Sequence, residues 1–467
     1  MRGFKGTGVF IGIFAILSFV GCGGGNNQTT PAPQTKTANV FTVGTDAPPL
    51  PSVISCEVTI TGVTLFDGTN NIPVMTQTPQ VIDFAQWTGL HQLMDLNAVP
   101  VGTYQSATVM LATPVIGYLD TTQTPPGINT MNGTLTQSSV TVQFAKPFVL
   151  NDNDLVGLRM EFDLRKSIQI AGDGTITGQI NPTFEMQLLA ADDSNVSIDD
   201  LHVGFVGTGG GNSFTVQGPH GRQWTVQTDS NTIWDDPDEP VSAFTNNTIL
   251  SISGQLDPVT KDIDASEVQV VSDDGFVLGG LFTYVNPPSP QAATQADLYT
   301  RYEVPDITGI QLGQIESLTL DGTEKYRIGN IINPITILLF NNTTLAPGQR
   351  VDVGGTTSTS NSVTTLTPHR VVLRRQGQAG AWVVGSTNVQ SGNNGSFQLN
   401  DQSTAGVLLP NPLTVFTTNG TIFINLSGLS GLSGTSAIPL RVVGFVLENP
   451  QTNQPVLVAR VVEQLTP

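Results

Sequence analysis

The chain has 467 residues, enough by length for three or four domains. Its 18 basic against 37 acidic residues give a formal net charge of −19, which argues against DNA, RNA and anionic lipid surfaces as partners, because counterion release needs clustered Lys and Arg. Only 12% of residues are charged, while 49 Gly and 30 Pro disfavour long helices, so Thr- and Val-rich alternating runs broken by Gly, Pro and Asn predict an all-β chain.

At the N-terminus Arg2 and Lys5 precede an apolar run over residues 8–20, too short to span a bilayer as a stable helix. It ends Phe19-Val20-Gly21-Cys22. This resembles the bacterial lipoprotein signal, whose usual ending is Leu, a small or β-branched residue, Gly or Ala, then Cys; Phe19 stands where Leu is usual. The resemblance implies a signal peptide over residues 1–21 and a lipidated Cys22, a diacylglyceryl and acylated cysteine holding the protein to the cell envelope. The alternative is an ordinary secretory signal with a chance cysteine. Two or more acyl chains anchor stably at about 0.8 kcal/mol per buried methylene. Gly23 follows Cys22 with no Asp at once, which by resemblance to enterobacterial sorting favours the outer membrane over the inner. Residues 22–38 are the lipidated cysteine and a polar tether, predicted to be disordered and to reach roughly 20 Å. Without Arg2 and Lys5, 16 basic residues face 37 acidic, a net charge of about −21. With Cys22 lipidated, Cys56 has no intramolecular partner; it shares a strand face with Val58 and Ile60 and reads as a buried, inert thiol. Past residue 22 no apolar run approaches the 18 residues of a transmembrane helix.

Residues 39–191 read as one β-sandwich, transthyretin- or Ig-like, with strand candidates Val53–Phe66, Val99–Leu111, Val140–Phe148, Leu158–Asp163 and Thr183–Leu189. Turn signals lie at 66–71, 124–127 and 151–154, and residues 82–96 hold a short helix or a strand pair. Four motifs carry a resemblance here: Thr45-Asp46-Ala47-Pro48, Val58–Val63, the turn Pro100-Val-Gly102-Thr-Tyr104, and Phe162-Asp163-Leu164-Arg-Lys-Ser167. Together they resemble an uncharacterised domain family of bacterial lipoproteins to which no activity is attached. The Pro-x-Gly-x-Tyr turn is also similar to one in transthyretin-like sandwiches, where Gly permits a tight turn and the ring packs at the strand entrance.

Beyond residue 200 three weak repeats appear, each a strand with a glycine, a variable loop and a Val-rich strand. Gly254, Gly354 and Gly444 mark them at spacings of 100 and 90 residues, one small barrel each. The repeats resemble a bacterial family of OB-like modules of unknown function, which implies about three small β-barrels: 201–275, 276–376 with an insertion or linker at 277–310, and 377–467.

Catalytic patterns are scarce. His91, His202, His220 and His369 form no His-x-x-x-His or Cys-x-x-Cys arrangement, so neither zinc nor another cofactor is predicted, and His369 reads as a solvated strand end. Gly428–Gly434 lacks the spacing of a nucleophile elbow and reads as a flexible loop; Gly207–Asn212 lacks the Lys-Ser/Thr of a phosphate loop and reads as a hairpin turn. Asp235, Asp236, Asp238 and Glu239 form a candidate calcium-ligand loop, beside the acids at 192–193, 199–200 and 151–154; solvated loop acids are the alternative. Trp87, Trp224, Trp234 and Trp382 are candidates for stacking on sugars or for core packing. The expectation is a non-catalytic, lipid-anchored envelope protein displaying β domains for binding or envelope structure. Its partners are the membrane through the lipid, and a glycan or envelope protein, not nucleic acid. A carbohydrate-binding or adhesion role is one alternative; a hydrolase using paired carboxylates such as Asp95 and Asp163 is the other.

Overall fold

β-branched and apolar residues alternate along most of this chain, and its computed structural model shows them as strands that present one face to a core. The structure describes residues 36–47, 53–76, 78–120, 127–172, 175–218, 221–234, 241–273, 275–305, 307, 309–329, 338–360, 363–403 and 407–465. These are nearly all-β; the exceptions are one short α-helix, α1 (Leu164–Ser167), and 3-10 turns. No helix among them is long and apolar enough to cross a membrane.

The first part contains β1 (Thr37–Ala47), β2 (Val53–Phe66), β3 (Asn71–Pro73), β4 (Gln80–Asp83), β5 (Gln92–Pro100), β6 (Gly102–Asp120), β7 (Gly127–Asn132), β8 (Thr134–Leu135), β9 (Ser139–Leu150), β10 (Leu155–Asp163), β11 (Ile168–Ile170), β12 (Ile176–Ile180) and β13 (Phe184–Ala190). One sheet runs β13-β10-β1-β5, a second runs β3-β2-β6-β7 with β4 and β9 attached, and a small third runs β11-β12-β8. The first two share one core, which includes Val40 and Leu158 from one sheet and Ile60 and Val109 from the other. β1 is buried on both faces: Ala38 and Val40 enter that core, while Phe41 and Val43 point into the next one. Its parallel pairing with β10 suits a strand with no solvent face.

Next come β14 (Ile198–Thr208), β15 (Ser213–Gln217), β16 (Gln223–Gln227), β17 (Ile233–Trp234), β18 (Ile249–Leu256) and β19 (Ile263–Ser272). They run β16-β15-β14-β18-β19-β17, and a parallel β16–β19 pairing closes five of them into a ring. Then follow β20 (Phe276–Asn286), β21 (Gln295–Val304), β22 (Ile315–Thr319), β23 (Lys325–Ile328), β24 (Arg350–Ser360) and β25 (Val363–Leu373), in the order β22-β21-β20-β24-β25-β23. Last are β26 (Gln376–Trp382), β27 (Asn388–Ser391), β28 (Asn394–Asp401), β29 (Leu413–Thr417), β30 (Ile422–Ile424), β31 (Pro439–Asn449) and β32 (Gln454–Gln464). Here β26-β31-β32-β29-β28 closes a second ring through the β26–β28 pairing. In all three sheets one short strand, β17, β23 or β30, lies parallel against the final long strand.

The four groups of strands share cores. Leu93 and Leu155 of the first pack with Leu250 and Val268 of the second. Val271 of the second meets Val277 and Val372 of the third. Phe445 and Leu447 of the fourth sit in the third's core, and Ile54 of the first joins Leu281 and Tyr299 of the third in the fourth's. Residues 36–467 accordingly form one unit.

Several expectations are corrected. Thr37 and Ala38 belong to β1 rather than to a disordered tether, and Lys36 pairs with Asp152 at 3.2 Å. Residues 82–96 contain neither a helix nor a simple strand pair alone: β4 leads through a 3-10 turn, Phe84–Trp87, to β5. Residues 277–310 are no insertion or linker; they supply β20 and β21, the first two strands of the third sheet. In the third sheet the bulge glycine is Gly355, one residue past Gly354. A Cβ on Gly254, Gly355 or Gly444 would lie 2.2, 2.0 or 2.1 Å from a carbonyl oxygen of the paired strand, so each position excludes any side chain. Gly428–Gly434 is not a free loop, because Leu429 and Leu432 anchor a 3-10 turn in the fourth core.

Candidate functional site

The sequence candidates disperse. Cys22 and the loop acids Asp235, Asp236, Asp238 and Glu239 lie outside the described residues, as does His220. Asp95 and Asp163 do not pair as hydrolase carboxylates: they stand on β5 and β10, on opposite sides of β1, with partners Thr42 and Ala47 five residues apart along it. At about 3.3 Å per residue and 4.8 Å per strand spacing, this separation far exceeds the about 5–9.5 Å between such carboxylates. Each is occupied otherwise. Asp95 accepts from Arg222 at 2.9 Å and from the Thr76 amide, and Asp163 caps α1 through the Lys166 amide. Trp87, Trp224 and Trp382 are buried; Trp234 is partly buried against Phe214 and Phe244. Cys56 is buried, and burial pushes its thiol well above the ordinary range. His369 is exposed on β25. Gly207 and Thr208 end β14 and residues 209–212 form the β14–β15 turn, where the Gly209 amide donates to the Ser213 carbonyl.

Two motifs of the first part, Thr45–Ala47 and Phe162–Ser167, meet at the C-terminal end of β1, and the Pro100–Tyr104 turn lies at its other end. Asp46 on β1 accepts from the Leu164 amide at 3.2 Å, which ties Thr45–Ala47 to the turn after β10. Asp46 is fully buried; burial, with the neighbouring Asp163, Glu161 and Asp83 adding to it, drives its pKa well above the usual carboxylate range. Tyr104 donates to the Pro100 carbonyl at 2.7 Å and closes its own turn.

At the centre, side chains from the first three groups, with Arg374 and Arg375 just past β25, form a buried ionic network. Asp200, at the start of β14, receives Arg350 at 3.0 Å and Arg374 at 2.5 Å. Asp352 on β24 meets His202 Nε2 at 2.8 Å and Arg374 Nε at 3.2 Å, and Tyr302 donates to its other oxygen. Arg375 lies 3.4 Å from Asp199, whose other oxygen accepts the His91 amide at 3.0 Å. Arg301 pairs with Asp83 at 3.6 Å and donates to the Ile54 carbonyl. Arg350 also lies over the Trp87 ring. Burial opposes the charged form of Asp200, but the guanidiniums of Arg374, Arg350 and Arg375 outweigh it and hold its pKa far below the carboxylate range. Asp352 is likewise lowered: burial is outweighed by His202 and Arg374. His202 and Asp352 are 9% and 1% exposed, so the network is sealed between strands and serves as an internal clamp.

Among these residues lies a cavity of about 20 Å³, lined by Gln86, Thr88, Arg301, Arg350, Gln376 and Gln378. Its orphan groups mix donors and acceptors, Arg350 Nη2 with Gln86 Oε1 and Thr88 Oγ1, a lining suited to one water molecule. The paired charges were readable in the sequence only as Asp199-Asp200 and Arg374-Arg375, doubled charges of opposite sign near predicted module edges.

An open cleft of about 320 Å³ lies between the third and fourth groups, where the end of β20 and residues 345–347 face residues 407–410 and the β31–β32 hairpin. Its walls are mostly aliphatic and proline-rich, with Ser289, Asn453, Gln454 and Glu448 as the polar lining. Glu448 is 3% exposed and meets no hydrogen-bond or ion-pair partner among the described residues. Burial alone raises its pKa to about 7. It occupies β31 two residues past Val446, on the face that Val446 turns into the fourth core. No sequence periodicity singled it out, because a Glu closing an apolar strand reads as a solvated end. No three His, Cys, Asp or Glu among the described residues converge on a metal position.

A family model described as a domain of unknown function, DUF4382, matches residues 38–179, within the first group of strands. No curated protein matches the chain. Among solved structures, one titled drosophila Unr CSD456 is similar over 57% of this chain and 97% of that one, at 9% identity and a TM-score of 0.13; the likeness is too weak to carry an argument.

Proposed function

We propose that this is a lipid-anchored, non-catalytic protein of the bacterial cell envelope that holds a rigid β body for binding. The body is a β-sandwich of the DUF4382 type followed by three OB-like barrels. The sandwich reading is supported by two sheets sharing one core. The OB-like reading is supported by ring order: in the second and fourth groups the first strand pairs with the second and fourth, and the third lies parallel to the fifth, a five-stranded closed arrangement. The anchor reading rests on Val20-Gly21-Cys22 after a 13-residue apolar run. It favours an outer-membrane location.

The observation that carries the binding role is how the ionisable side chains are divided. Arg301, Arg350, Arg374, Asp200 and Asp352 are all within a tenth of full burial and are used to join one group of strands to another. Glu448 stands apart, buried in the wall of an open cleft. The formal net charge of −19 still repels anionic partners, although burial withdraws more acids than arginines from the surface. Three of the four tryptophans lie in cores, which removes them as platforms for sugar stacking.

The test of anchoring is membrane fractionation of Cys22→Ala against the unaltered protein, with external protease on intact cells. The unaltered protein should pellet with membranes and Cys22→Ala should not. Equal pelleting of both would sink the anchor reading. Digestion in intact cells would mean display outside the cell, and protection a periplasmic body.

A further inference from the structure

We infer that the cleft beside Glu448 binds a small organic cation, an ammonium group on an apolar body, with the Glu448 carboxylate as its counter-ion. The inference deepens the binding role proposed above but does not depend on the lipid anchor.

The argument starts from an unpartnered charge. A carboxylate removed from water with no donor is costly, and proteins either pair it or keep it protonated. Every other buried acid named above has a donor: Asp200 has two guanidiniums, Asp352 has Arg374, Tyr302 and His202, and Asp46 has the Leu164 amide. Glu448 has none and is 3% exposed. The cleft it lines is about 320 Å³, the lower end of the range for small-ligand sites. Val285, Leu345, Leu408 and Leu409 give it walls that favour an aliphatic body.

The chemistry of the lining narrows the ligand. No Lys or Arg lines the cleft, and Ser289, Asn453 and Gln454 offer only neutral donors, so an anion finds no counter-charge beside the Glu448 carboxylate. The side chains of Glu448, Ser289, Asn453 and Gln454 carry one charged group between them and fewer oxygens than the six to eight of calcium. The lining holds no aromatic ring, so a sugar has no stacking surface. An ammonium with an apolar body satisfies both features at once, and the net charge of −19 raises the local concentration of cations.

The test uses the protein from residue 23 onward and three isosteric probes, n-hexylammonium, 1-hexanol and hexanoate, with binding read by calorimetry at neutral pH. The expected result is that n-hexylammonium binds, 1-hexanol binds about tenfold or more weakly, and hexanoate does not bind. In Glu448→Gln, an isosteric change that removes an unpaired charge, the preference for the ammonium should vanish. Leu408→Trp, which fills the cleft from its rim, should block the ammonium and leave the circular dichroism spectrum unchanged. Equal affinity for ammonium and alcohol, no binding of either, or an undiminished ammonium preference in Glu448→Gln overturns the inference. A soluble Cys22→Ala protein that still binds n-hexylammonium separates this result from the fate of the anchor.

Discussion

Asp200 and Arg350 meet at 3.0 Å across 150 residues of chain, with side chains 4% and 3% exposed. Arg374 closes on the other oxygen of the same carboxylate, so one acid holds two strands of the third sheet, β24 and the end of β25, against the second. Removing that acid leaves two buried guanidiniums without their counter-ion.

Asp200→Asn should therefore cost about 3–5 kcal/mol of stability at neutral pH. The pKa of Asp200 is lowered in the fold, so its contribution is complete above the unfolded value of 3.8, begins to decline below it and is lost only as pH falls through the much lower folded value. Urea unfolding at pH 7 and at a series of pH values below 3.8 tests this: the gap between the Asp200→Asn variant and wild type should be widest at pH 7 and shrink steadily as the acid series descends. An equal gap at every pH would mean that Asp200 acts by shape, not charge.

Glu448 has the opposite sign. Its pKa rises from 4.5 to about 7 on folding, so the folded state favours the protonated acid. That stabilising preference is complete below pH 4.5 and disappears as pH rises through 7. Glu448→Gln should therefore be more stable than wild type at pH 8 and no different from it at pH 4.5. Urea midpoints of both proteins at the two pH values check it; a loss of stability at pH 8 would contradict the buried, unpartnered carboxylate.

Gly444→Ala would place a Cβ 2.1 Å from the Val458 carbonyl oxygen at the bulge of β31. The expected cost is about 1–3 kcal/mol or more. Gly172→Ala meets open space and should stay within about 0.5 kcal/mol of wild type. Thermal melts of both variants make the comparison, and equal melting temperatures would refute it.

The shared cores predict that limited proteolysis does not divide the chain at 191–201 or 275–310, the edges that sequence composition suggests. Val196 is packed with Phe41 and Val43 in one core, and β20 and β21 fill another. One cooperative unfolding transition is expected for residues 36–467. Stable fragments ending in either segment would show independent domains.

Much of the strand pattern was legible in the sequence. Val53–Phe66 is a strand over the range its alternation indicates, because the two-residue period depends only on neighbouring side chains. Repeated glycines marked the bulges, though for Gly355 only to within one residue, since bulge register depends on the partner strand. The all-β class followed from Thr, Val, Gly and Pro content alone. The tertiary structure decided the rest. Asp199-Asp200 and Arg374-Arg375 carry no local sign that they meet, because a charge pair 174 residues apart leaves no period in the chain. Glu448 looks like any strand-end acid until the cleft wall closes round it; burial is set by what packs against a residue from elsewhere in the chain, and that is written in no single segment.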